Sequence, residues 1–253
     1  MGKGNKNTLR SVRIACELLE TLQQVGGAGI TELANETNYS KSTIHRQMST
    51  LLEQEYIIKK GTSYQLSLRY LDISHHVSGQ IENYDVIKKE VKTLAKETGE
   101  VAQFATEEHG RIVYLYKSKG EQGVETSSHI GTREYLHSTS LGKSILSQMS
   151  QDRVNEILAR RGLPKKTKNT ITTREALFNE LEEIRERGFA FDREENVMGL
   201  HCVAAPVIED GIMLGAVSLS GPSSRIKGDR YETELPEIVT RTANIIQLNS
   251  KFS

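Results

Sequence analysis

Between residues 30 and 57 the apolar side chains Ile30, Leu33, Ala34, Ile44, Met48, Leu51, Leu52 and Ile57 recur at helical spacing around a polar turn. That spacing restricts the stretch to two short helices packed on a common core. Ser40 is a natural N-cap for the second helix, which therefore starts at Lys41 with its free amides facing forward. Asn38 is expected to supply the left-handed conformation of the preceding turn. The outer face of this helix carries Lys41, Ser42, Thr43, His45, Arg46 and Ser49, and no acid follows until Glu53. Hydrogen-bond donors without acids suit phosphates and base edges. After Ile57 the segment with Lys59, Lys60 and Gly61 leads into Ser63–Leu66, a pair of short strands around a glycine turn with lysines at the tip. A basic hairpin after such a helix predicts a winged helix-turn-helix. The competing interpretation is a helical hairpin whose polar face is merely solvated.

The whole chain of 253 residues carries 33 basic and 33 acidic side chains, so any nucleic-acid surface has to be local. Up to Asp72 there are nine basic residues against seven acidic, and Lys3, Lys6, Arg10 and Arg13 precede the first acid. This arm either tracks phosphates or is a solvated tail. No apolar run is long enough to span a membrane, and the polar, basic start does not have the form of a secretory signal. It is also a poor match to a myristoylation signal. A cytoplasmic location is expected. Cys16 and Cys202 fall in different predicted domains, Cys16 on the buried side of the first helix, which argues against a disulfide framework.

Residues 9–24 read as a helix, with Val12, Ala15, Cys16, Leu19 and Leu22 as its stripe and Gly26-Gly27 as its end. Residues 68–84 lack a strong stripe and read as a connecting helix containing His75 and His76. A second unit opens with a helix carrying Val86, Ile87, Val91, Leu94 and Ala95, stopped by Gly99. Strands are expected at 101–107 and 111–117, with Ile112, Tyr114 and Tyr116 on one face, and a short one at 124–128. Helices are expected at 140–149, 151–160, 174–187 and 231–248, and strands at 202–208 and 212–220. This order predicts an α+β fold, a sheet with helices packed on it. The expected boundaries are 1–72 for the winged helix, 73–84 for the linker helix and 85–253 for the second domain.

Three blocks, YSKSTIHRQMSTL from Tyr39, LHSTSLGKSIL from Leu136 and GFAFDREENVMGLHCVAAPV from Gly188 followed by LGAVSLSGPSSRI, resemble the IclR family of bacterial and archaeal transcription regulators. The resemblance implies an N-terminal winged helix, a linker helix and a C-terminal domain similar to the GAF fold. It further implies a homodimer or dimer of dimers, operator DNA as partner, and a small organic or sugar acid as effector. No cofactor or metal is implied. The family's effector site falls on Ser140, Leu141, Gly142, Asp192, Leu200, Cys202, Ser218 and Ser220. Ser218, Ser220 and the amides opening the helix at Ser140 suit a carboxylate, while Leu141 and Leu200 exclude water. Asp192 is awkward for an anion unless it accepts from a hydroxyl or is protonated. Leu141 and Glu134 depart from a simple two-carbon-acid site and leave room for a larger polyol or sugar acid. Leu141 reads equally as core packing.

Hairpin register discriminates between pairings of the last two strands. A two-residue loop at Asp210-Gly211 sets Cys202 opposite Leu219. A three-residue loop from Glu209 sets Cys202 opposite Ser218 and Leu200 opposite Ser220, gathering the site residues on one face. The three-residue loop is therefore expected, with Gly211 at the left-handed position. An enzymatic alternative assembles Cys202, His137 and Asp192 as nucleophile, base and orienting acid, but no sharp nucleophile turn surrounds Cys202. A metal alternative gathers His129, His137, His201 and Cys202 without ligand spacing to support it. A third alternative keeps the effector site in an adaptor that does not bind DNA.

Overall fold

The computed structural model describes residues 8–250, so the predicted basic residues Lys3 and Lys6 and the Gly2 signal lie outside the described residues. The chain divides into two compact units between Glu82 and Asn83.

In the first unit α1 (Arg10–Val25), α2 (Ile30–Glu36) and α3 (Lys41–Glu53) precede a hairpin of β1 (Ile57–Lys60) and β2 (Ser63–Leu66). Ile14, Leu18 and Leu22 of α1 pack with Leu33, Ile44, Met48, Leu51, Ile57 and Tyr64 in one core. The buried edge of α1 thus sits to one side of the expected stripe. Cys16 and Val12 are exposed, because the four-residue spacing of Ile14, Leu18 and Leu22 supplies the better-filled seam. Leu52 is also more exposed than expected, at the margin of α3. Glu32 accepts from the Gly29 amide at 2.7 Å and closes the start of α2. Tyr39 donates its hydroxyl proton to Glu17, fastening the turn before α3 to α1. Asn38 does not adopt a positive φ, and Thr37 ends α2 in an extended conformation instead. α4 (Arg69–Gly79) follows the hairpin and buries none of its residues.

The second unit begins with α5 (Tyr84–Thr98) and holds a six-stranded antiparallel sheet. Its strands are β3 (Val101–Glu108), β4 (Arg111–Lys119), β5 (Arg133–Glu134), β6 (Ala190–Arg193), β7 (Leu200–Glu209) and β8 (Ile212–Pro222), in the order β5-β4-β3-β8-β7-β6. One face is covered by α5 and α9 (Leu235–Ser250) around Phe104, Phe191, Val203, Leu219 and Tyr231. α6 (Ser140–Ser147), α7 (Gln151–Arg161) and α8 (Arg174–Arg187) cover the other. That face presents Ala105, Ala190, Ala204 and Ala216, whose small side chains let the helices approach. The α+β organisation is as expected.

Local departures have physical causes. β6 has no counterpart among the expected strands, being only four residues long. Residues 124–128 form no strand, and the short β5 pairs with β4 through Glu134 and Arg133. A bulge at Leu115 turns Tyr116 toward the α5 side, opposite Phe104, so it does not share a face with Ile112 and Tyr114. The last helix opens through a wide turn at Arg230–Glu234 that runs directly into α9, and Pro236, which has no amide proton to give a carbonyl of that turn, follows it.

The β7–β8 hairpin overturns the expected three-residue loop. Glu209 pairs with Ile212 across Asp210-Gly211, both in the left-handed region at φ 47° and 83°. A bulge at Leu214 then moves the pairing on by one residue, to Val207 opposite Gly215. Cys202 consequently faces Ser220 rather than Ser218, and Leu200 faces Pro222 rather than Ser220. The bulge restores the side-chain parity that a two-residue turn alone would have inverted. Glycine is required at position 215. Its φ is 153°, and a Cβ there would stand 2.3 Å from the Ala105 carbonyl oxygen.

Candidate DNA-reading face and effector cavity

Ser40 caps α3 by accepting from the Thr43 amide at 3.2 Å, as expected. The Ser40 hydroxyl also meets those of Ser42 and Thr43 at 3.0 and 2.9 Å, so the start of α3 is a preset cluster of hydroxyls. Lys41, Ser42, His45 and Arg46 are exposed and Thr43 is half-buried, while Ile44 and Met48 point into the core. Lys59 and Lys60 are exposed on β1, with the Lys59 ammonium 5.5 Å from the centre of the Tyr64 ring. The predicted residues therefore share a donor-rich exterior, and no ion pair holds Lys41, Arg46, Lys59 or Lys60 among the described residues.

A cavity of about 550 Å³, counting its open mouth, lies in the second unit on the α6 side of the sheet. It is lined by Ser140, Leu141, Asp192, Leu200, Cys202, Ser218 and Ser220, seven of the eight predicted residues. Gly142 is the exception. Its amide donates to the Thr139 hydroxyl at 3.0 Å, making Thr139 the N-cap and Ser140 the first helical residue. A Cβ at position 142 would lie 2.2 Å from the Leu136 carbonyl oxygen, so this glycine sets the packing that brings α6 to the cavity. The Ser140 and Leu141 amides are in the first turn, where helices leave donors without intrahelical acceptors.

Across the sheet Asp192, Cys202 and Ser220 form one row of directly paired residues, and Ala204, Ser218, Gln103 and Lys117 the next. Gln103 escaped sequence reasoning, although it is the lone polar side chain in VAQFA. It accepts from Ser220 at 3.4 Å and donates to Ser128 at 2.7 Å, tying the floor to the loop at 126–128. Lys117 holds that loop through the Thr126 and Ser128 carbonyl oxygens at 3.2 and 2.7 Å, and burial lowers its pKa. Thr139, Asn196 and Val197 also line the cavity, as does Glu134. The loop residues could not be placed from sequence because their position depends on the β4 bulge and on Lys117.

Asp192 is 3% exposed and accepts from the Glu195 amide at 2.7 Å and the Asn196 amide at 3.4 Å. Burial, then the neighbouring Glu195, push its carboxyl up to about 7 despite those bonds. Glu195 is also raised by burial, opposed by Lys143, whose ammonium lies 2.6 Å from it. Lys143 further pairs with Glu180 at 3.4 Å, and Arg187 with Glu180 at 2.8 Å.

The residues drawn into other chemistries are occupied elsewhere. His137 does not line the cavity; its Nε2–H donates to the Pro164 carbonyl at 3.1 Å. Burial and Asp192 push the Cys202 thiol well up, the opposite of what a nucleophile requires. His201 donates to the Ile226 carbonyl and stacks on Tyr231. No group of three or more His, Cys, Asp or Glu among the described residues could hold a metal. No described helix is long and apolar enough to cross a membrane.

A winged-helix unit joined in one chain to a unit with a polar-lined cavity defines the class of ligand-responsive transcription regulators. The sequence profile described as "Bacterial transcriptional regulator IclR C-terminal" matches residues 75–248, and "IclR helix-turn-helix domain" matches 11–60. The chain belongs to the IclR family. It is 30% identical to the probable HTH-type transcriptional regulator ArcR of Halobacterium salinarum, over 97% of this chain and 95% of that protein. It is also 30% identical to the HTH-type transcriptional regulator KdgR of Escherichia coli, over 94% and 92%. Among solved structures, the Thermotoga maritima IclR aligns with a TM-score of 0.75 and 29% identity, covering 96% of this chain and 99% of that one. The protein is thus a transcriptional regulator with an N-terminal DNA-binding domain and a C-terminal domain through which a small metabolite controls it. These relatives are regulators, not enzymes.

Proposed function

We propose that Lys41, Ser42, Thr43, His45 and Arg46 read operator bases and phosphates while Lys59 and Lys60 meet the flanking backbone. Ser140, Leu141, Asp192, Leu200, Cys202, Ser218 and Ser220 form the effector site for an organic or sugar acid, with Gly142 setting the approach of α6 to it. The protein acts in the cytoplasm as a homodimer or a dimer of dimers, with recognition helices in successive major grooves of a near-palindromic operator. Among the described residues the winged helix ends with β2 at Leu66, α4 (Arg69–Gly79) serves as the linker helix in place of the expected 73–84, and the unit from Asn83 onward is the effector domain.

The observation that carries this proposal is the cavity itself, where hydroxyls, helix-start amides and apolar walls converge. Linkage requires the effector to change operator affinity by the same factor that the operator changes effector affinity. The test is fluorescence anisotropy of the purified protein with DNA from upstream of its own gene, at two salt concentrations and with nonspecific competitor. Competitor-resistant binding that a carboxylic or sugar acid shifts supports the proposal. A folded protein that no such acid shifts would remove the acid effector.

A further inference from the structure

The cavity has an unusual charge composition for a site that takes an acid. No lysine, arginine or histidine lines it among the described residues, whereas two carboxyl groups do, Asp192 and Glu134. Glu134 is partly neutralised by Lys166 at 3.2 Å. Asp192 has no ion-pair partner among the described residues, because the ammonium that acts on it, Lys143, lies 2.6 Å from Glu195 and also serves Glu180. The buried network behind the cavity therefore sets Lys143 and Arg187 against Glu180, Glu195 and Asp192, leaving a carboxyl in excess. Two buried carboxylates side by side that share a single lysine, itself divided with Glu180, are strongly disfavoured, and the ordinary resolution is that one of them takes a proton.

The remaining polar groups are arranged for that outcome. Ser218 lies on the cavity floor at 1% exposure, and its hydroxyl has no hydrogen-bond partner. The Glu195 and Asn196 amides fix one Asp192 oxygen, Oδ1. We infer that Asp192 binds the anionic effector as a hydrogen-bond donor, so that the site takes up one proton from solvent together with the ligand carboxylate. Asp192 is then a specificity residue that admits a monoanion into a cavity lacking a cation. This inference rests on the effector-site proposal above and deepens it.

Titratable groups around Asp192 come from every side. Glu195 and Lys143 act from the following loop and from α6, Glu180 through Lys143 from α8, Tyr114 and Cys202 from β4 and β7, and Glu134 from across the cavity. Tyr231 donates to the Asp192 carbonyl oxygen from below the sheet, and His137 stands in the field of Lys143. Burial holds Tyr114, Cys202 and Tyr231 neutral across the physiological range, so Glu195 is the rival proton acceptor.

The experiment is isothermal calorimetry of the full chain with pyruvate at pH 6, 7 and 8, in buffers of different ionisation enthalpy, on wild type and Asp192→Asn. The expected result for wild type is affinity falling about tenfold per pH unit above neutrality, with close to one proton taken up per pyruvate at pH 8. The asparagine amide mimics the protonated acid, so that variant should bind with neither the pH dependence nor the proton. Should Asp192→Asn not fold, proton uptake by wild type decides alone. Proton-neutral binding by wild type overturns the inference and leaves the effector site standing, as does uptake that persists in the variant and so belongs to Glu195. Absence of binding at every pH to both proteins overturns the acid-binding proposal and the inference together.

Discussion

The two units expose and conceal their function in opposite ways. On α3 the candidate contacts project from a helix whose core side is independently satisfied by Ile44, Met48 and Leu51. In the cavity almost every polar group is also a structural bond: Gln103 joins Ser220 to Ser128, Asp192 orders the following loop, and Lys143 neutralises Glu195. Substitutions should therefore separate reading from stability in the first unit and confound them in the second.

The sharpest test of that contrast is Lys143→Met. It leaves Glu195 buried without its cation, and the Glu195 Oε2 atom already lacks a partner. A loss of about 3–5 kcal/mol in denaturant unfolding is expected, as for breaking any buried pair from one side. A loss under about 1 kcal/mol would show that the network is hydrated and that the cavity is no more constrained than the reading face. Gly215→Ala comes next, at roughly 3 kcal/mol, because the added carbon meets the Ala105 carbonyl in a strained backbone. An unaffected midpoint would mean that the β8 bulge can slide, and with it the row from Asp192 to Ser220.

Asp192 gives the contrast a pH signature. Its folded carboxyl ionises near 7 against an ordinary value of 3.8, so the folded chain binds the proton more tightly than the unfolded chain. The stability it contributes is present below about pH 4 and is lost as the pH climbs through about 7. Asp192→Asn should flatten that decline in thermal unfolding without ligand. A wild type and variant with parallel profiles from pH 4 to 8 would assign the titration elsewhere.

How far each unit could be read from sequence follows the same division. Helical spacing and a Ser cap placed α2 and α3, and a glycine turn between two short strands placed the wing, because each signal is local. It misjudged α1, where an apolar face broader than the core seam made Cys16 as credible as Leu18. In the second unit the candidate site residues were nameable through the family likeness, and seven of eight line the cavity. Their pairing was not, because a turn at Asp210-Gly211 and a bulge at Leu214 each shift register, and parity reveals only their sum. Gln103, Asn196 and the loop at 126–128 depend on contacts between segments far apart in the chain, for which no periodic signal exists.

Arg46→Ala tests the reading face itself. The side chain is exposed on α3, so unfolding should move by no more than about 0.5 kcal/mol. Operator binding should weaken by about 1–3 kcal/mol if it reads a base, or lose about one unit of salt slope if it meets a phosphate. Anisotropy across salt concentrations separates the two. A variant that loses stability as well as affinity would break the contrast from the other side.

The smallest effect is expected where the two properties touch. Ser40 caps α3 and its hydroxyl also reaches Ser42 and Thr43. Ser40→Ala should cost about 1 kcal/mol in unfolding, the usual value of an N-cap, since the core face of α3 still holds the helix. Ser40→Asp keeps a cap acceptor but places a negative charge at the end of the helix meant for DNA. It should preserve stability while lowering operator affinity, more at low salt than at high. If Ser40→Asp binds as tightly as wild type at low salt, phosphate does not approach the start of α3, and the reading face has to be moved toward Arg46 and the wing.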